Sequence, residues 1–89
     1  MTYKFIVHGN VQGVYYRVTI LEAMKSASFN GSIRNLEDGS VEVFVSIEED
    51  DDYAMVISIL EEGSAKSVVE NITQTICENT FNSGFSIIK

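Results

Sequence analysis

Apolar positions change their period several times along the chain, and each change predicts an element. The run TYKFIVH is rich in β-branched and aromatic residues and stops at Gly9, which predicts a strand over residues 2–8. From Tyr16 the apolar positions Tyr16, Ile20, Ala23, Met24 and Ala27 recur at spacings of three and four. That is the stripe of an amphipathic helix, fading near Phe29 and broken by Asn30-Gly31. SIRNLEDGSVEVFVSI then holds two strand-like runs around Glu37-Asp38-Gly39-Ser40, and Asp-Gly predicts a hairpin because both residues tolerate positive φ. In its second strand Val41, Val43, Val45 and Ile47 share one face, while Phe44 on the other implies that this second face is not wholly exposed. A further helical stripe, Tyr53, Val56, Ile57 and Leu60, follows the acidic run EEDDD and stops at Gly63. Carboxylates at residues 48–52 suit the N-cap and first turn of that helix. SVVENITQTICE predicts a fourth strand, and FSIIK either adds a fifth or extends an edge.

This order predicts an α+β fold, the ferredoxin-like βαββαβ sandwich: an antiparallel sheet with two helices on one face and a short extra C-terminal strand. Right-handed crossovers place the first and third strands side by side at the centre. With 89 residues, 45% of them hydrophobic, residues 1–89 are expected to form a single domain with a modest core. No apolar run approaches the ~20 residues of a membrane span, and MTYKFIVHG lacks the regions of a signal peptide, so the expected location is cytoplasmic. The single cysteine, Cys77, has no partner for an internal disulfide and reads as a strand thiol.

Charge narrows the partners. A net charge of -7 and a pI near 4.4 argue against nucleic acid or an anionic membrane. The distribution is uneven, however: residues 1–36 hold Lys4, Arg17, Lys25 and Arg34 against Glu22 alone, whereas the acids concentrate beyond them. A basic N-terminal portion could accept a small anion, although acids that merely solvate the second half explain the same asymmetry.

Candidate chemistry falls in GNVQGVYYR. Gly9 and Gly13 permit backbone conformations closed to other residues, so consecutive N–H groups can converge on phosphate-like oxygens. Arg17, in the first turn of a helix whose N-terminus is already partially positive, is mismatched unless an anion completes the site. An ordinary strand-to-helix turn with an exposed arginine is the alternative, and Gly-x-x-x-Gly is not the Walker pattern. Asn35 offers a donor and an acceptor suited to holding water, or a structural amide near a turn. His8, the only histidine, reads as a packing or surface residue rather than a general base. The acidic run lacks an ordered ligand spacing, so neither metal nor cofactor is expected.

VHGNVQGVYYR resembles the acylphosphatase signature Gly-x-Val-Gln-Gly-Val-x-Phe-Arg, and GSIRNLEDGSVEV resembles the same family's second signature, in which Gly-x-Val-Arg-Asn leads into Asp-Gly-x-Val-Glu. Their order, their separation and the chain length also match that family, whose fold is the ferredoxin-like sandwich. The resemblance implies hydrolysis of small-molecule acyl phosphates to a carboxylate and inorganic phosphate, which serves as product or inhibitor, without a metal and as a monomer. By position Arg17 matches the phosphate-binding arginine and Asn35 the water-positioning asparagine. The loop Asn10, Val11, Gln12, Gly13, Val14 and Tyr15 matches the amide cradle. Departures are Tyr16 for the usual Phe, Ser32 for a frequent Trp, Ser64 where Pro is common, and the acidic run in place of small residues. A catalytically silent anion-binding or interaction module on the same fold stays open, and Asn35 favours the enzyme because binding alone needs no water-holding amide. An RNA-binding domain is disfavoured, since SVEVFVSI is not a basic, aromatic RNP-like strand.

Overall fold

The computed structural model describes residues 1–81 and 83–88. Its elements are β1 (Thr2–Asn10), α1 (Tyr16–Ser26), β2 (Gly31–Asn35), β3 (Val41–Ser46), α2 (Asp50–Glu62), β4 (Val68–Cys77) and β5 (Phe85–Ile87). They form one sheet in the order β4-β1-β3-β2-β5, with β1 and β3 central as the crossover rule requires. The four longer strands pair antiparallel, with Phe5 opposite Val43 and Ile33 opposite the same Val43 from the other side. The short β5 instead runs parallel to β2, so the sheet is mixed at that edge. This is the ferredoxin-like α+β architecture.

Alternation along the strands decides what lies under the helices. Phe5 and Val7 of β1, Ile33 of β2 and Val41, Val43 and Val45 of β3 are fully buried against Tyr16, Ile20 and Met24 of α1 and Val56 and Leu60 of α2. Each such side chain contributes roughly 1.5–3 kcal/mol by leaving water. On the opposite face Phe44 packs against Phe81, ring centres 5.7 Å apart, which is why that face of β3 is not simply wet. Glu42 is buried there too, its carboxylate accepting from Arg34 Nε at 2.7 Å.

Both helix ends differ in detail from the sequence expectation. Helix α1 stops at Ser26 because Ser28, one residue past the C-cap Ala27, adopts φ 63° and the Phe29 N–H returns to the Met24 carbonyl at 2.9 Å, a left-handed termination that precedes Asn30-Gly31. At α2 the N-cap residue Glu49 makes no side-chain cap, its side chain being longer than the Ser, Asp and Asn favoured there. The acidic run therefore acts through charge, with Asp50, Asp51 and Asp52 in the first turn. No helix among the described residues is long and apolar enough to cross a membrane.

Candidate active site

Leaving β1, the chain slips register between His8 and Gly9. Gly9 has φ 134°, and a Cβ there would overlap the Val68 carbonyl oxygen of β4, so glycine at this point lets two strands approach. Gly13 is different: its φ is 73° with nothing nearby, so only conformation demands glycine. Tyr15 follows at φ 61° as the N-cap of α1, and its carbonyl accepts from the Thr19 N–H at 3.1 Å and the Thr19 hydroxyl at 2.9 Å. Helix geometry then leaves the N–H groups of Tyr15, Tyr16, Arg17 and Val18 without intrahelical acceptors. No side chain caps them and no acid occupies the first turn.

The hairpin is fastened to this loop by Gln12, whose Nε2 donates to the carbonyls of Leu36 at 2.8 Å and Ser40 at 2.9 Å. That clamp brings the end of β2, and with it Asn35, to the mouth of α1. Between them lies a cavity of about 440 Å³ with Gln12, Gly13, Tyr15, Arg17 and Asn35 on its wall, joined by Val11, Tyr16 and Val18. Among the described residues Arg17 forms no ion pair. The Asn35 Oδ1 is buried and accepts no hydrogen bond from the described residues. A buried acceptor without a donor costs about 1–3 kcal/mol, so this atom favours any O–H or N–H brought to it.

The structure thus gathers Val11, Gln12, Gly13, Tyr15, Arg17 and Asn35 around one space, and leaves Asn10 and Val14 off its wall. Asn10 is exposed at the end of β1, paired in register with Val68. The Val14 carbonyl is taken by the Ser64 hydroxyl at 2.6 Å. His8 does not line the cavity, and Cys77 stands half-buried on β4, away from it. A larger hollow of about 570 Å³ between α2 and β4 carries Glu61 and Glu70 and, among the described residues, no cation, the wrong charge for an anion.

Tyr16 bears on support rather than chemistry. Its ring is buried and its hydroxyl donates to the Leu60 carbonyl at 2.8 Å, so the departure from Phe is absorbed by a tie between the helices. Burial pushes its phenol well above the ordinary tyrosine range, keeping it neutral. Sequence reasoning passed over Val18, whose helical position one residue past Arg17 was the available signal. It also gave Ser64 no role, and no local pattern joins residues so far apart.

A sequence profile of the acylphosphatase family matches residues 3–87. An acylphosphatase of Haloarcula marismortui is 42% identical over 66 residues, covering 74% of this chain and 71% of that protein. One from Xanthomonas oryzae pv. oryzae is 36% identical over 78 residues, covering 83% of each. The crystal structure of acylphosphatase from Bacillus subtilis superposes with a TM-score of 0.89 at 27% identity, covering 99% of this chain and 98% of that one.

Proposed function

The chain belongs to the acylphosphatase family, and we propose that it cleaves the carboxyl-phosphate bond of acyl phosphates, releasing a carboxylate and inorganic phosphate. In this reading the loop amides of Val11, Gln12, Gly13 and Tyr15, the loop residues on the cavity wall, and the Arg17 guanidinium hold the phosphoryl oxygens, with the unpaired N–H groups at the start of α1 adding to the same field. Gly9 and Gly13 set the course of the loop. Asn35 accepts an O–H from a water molecule and aims its oxygen at phosphorus, opposite the acyl oxygen.

Attack forms a P–O bond to water as the bond to the acyl oxygen breaks. The carboxylate leaves with the bonding pair, and the water proton passes to a phosphoryl oxygen or to solvent. A carboxylate is a good leaving group, so alignment and charge neutralisation supply the acceleration and no side-chain base is required. Among the described residues the cavity wall carries no carboxylate, thiol or imidazole, a donor set suited to an anion and not to a metal cation. We extend the reading to a metal-independent, monomeric, cytoplasmic enzyme.

One observation carries the enzyme over a silent binding module: the buried, unpartnered Asn35 Oδ1 on the same cavity as Arg17. A carboxamide oxygen gains nothing from a bare anion but accepts readily from water. The test is loss of a chromogenic acyl phosphate in the presence of a chelator, with inorganic phosphate as competitor. Turnover that phosphate inhibits competitively is the expected result. Phosphate binding without turnover overturns it in favour of the binding module.

A further inference from the structure

Ser64 lies in the turn between α2 and β4, yet its hydroxyl reaches back fifty residues to the Val14 carbonyl. Its backbone is held from both sides: the Ser64 N–H donates to Ser67 Oγ at 2.9 Å, and the Ser67 hydroxyl donates to the Ser64 carbonyl at 3.0 Å. Gly63, at φ 55°, sits so close beneath the Tyr16 ring that an added Cβ would meet it at 2.8 Å. The turn is therefore a fixed platform against the start of α1.

A trans peptide is planar, with its N–H opposed to its C=O, and the described chain contains no cis bonds. Drawing the Val14 carbonyl toward the turn sends the Tyr15 N–H the other way. Gly13 and Tyr15, on either side, both line the cavity, while Val14 does not. The Tyr15 N–H is also the first of the four that the helix leaves without an acceptor.

We infer that Ser64 is a positioning residue: by fixing the Val14 carbonyl it aims the Tyr15 amide at the phosphoryl group, an inference that rests on the phosphoryl-binding reading of this cavity. Such an amide binds substrate, product and transition state alike, so its misalignment raises KM and leaves kcat in place. Ser64→Ala is expected to raise KM and the phosphate inhibition constant together by about three- to tenfold, the worth of one hydrogen bond. The same variant holds kcat within about twofold, and Ser64→Thr, which keeps the hydroxyl, restores wild-type constants.

In the wild-type protein, titration with inorganic phosphate followed by amide NMR should shift the Tyr15 N–H together with those of Gly13 and Arg17. The inference is overturned if Ser64→Ala lowers only thermal stability or kcat, or if the Tyr15 amide stays unmoved while its neighbours shift. Absence of any phosphate response in the wild type would instead overturn the functional reading beneath it.

Discussion

Two helices of similar length begin under opposite charge. Helix α2 opens with Asp50, Asp51 and Asp52, so the partial positive charge of its N-terminus is answered within the chain. Helix α1 opens with no acid, no side-chain cap and Arg17 in its first turn. By itself the second arrangement is unfavourable by some tenths of a kcal/mol or more, and it lies beside the unpartnered Asn35 Oδ1. One helix start spends its field on stability. The other leaves it unanswered within the chain, and in the function proposed above an anion accompanied by water answers the unmet groups there.

The largest break in that contrast is Arg17→Ala. Removing the only side-chain cation that the described residues place on the cavity wall should lower kcat/KM by at least about a thousandfold and abolish phosphate inhibition, measured by steady-state kinetics. Asn35→Ala comes next and separates two functions of the same space. It should lower kcat by roughly a hundredfold while the phosphate inhibition constant stays within about twofold. Because the variant also removes a buried acceptor without a donor, thermal unfolding should show no loss of stability from that atom. Equal losses of turnover and phosphate affinity would place Asn35 on the anion instead.

Much of this was open to a sequence reading because the signals were local. Alternation, the Asp-Gly turn and the three- and four-residue stripes each lie within one element, and the two charged helix starts can be read off Asp50–Asp52 and Arg17 directly. What escaped was made through space. The special backbone conformation of Gly9 was legible, but the contact with the Val68 carbonyl that also excludes a side chain there was not. Gln12 belonged to the loop motif, and only the folded hairpin shows its amide clamping Leu36 and Ser40. The parallel seat of β5 beside β2 depends on a crossing that three residues of strand pattern cannot encode. Helix α1 ends early because burying Phe29 and closing its bond to Met24 outweigh the break at Asn30-Gly31.

A milder change makes α1 resemble α2. Val18 is 46% exposed in the first turn, so Val18→Glu places a carboxylate among the free N–H groups without disturbing the core. The helix should gain about 0.3–1 kcal/mol, seen as a Tm higher by roughly 2–6 °C. The internal anion now competes with substrate, and the phosphate inhibition constant should rise by about tenfold, the more so at low salt. A more stable protein with undiminished phosphate affinity would mean that the helix field contributes little to the site.

The smallest change runs the other way. Asp51 is exposed in the first turn of α2, remote from the cavity wall, and Asp51→Asn removes one carboxylate while keeping the shape of the side chain. Its neighbours Asp50 and Asp52 stay in place, so part of the field remains answered and their mutual repulsion is relieved. The net loss should be no more than about 0.3–1 kcal/mol in denaturant unfolding, shrinking as salt is raised, with kcat and KM unchanged. If α2 instead tolerated the loss of all three acids at low salt with no change in stability, its carboxylates would be solvated surface alone. The bare start of α1 would then need no anion to explain it.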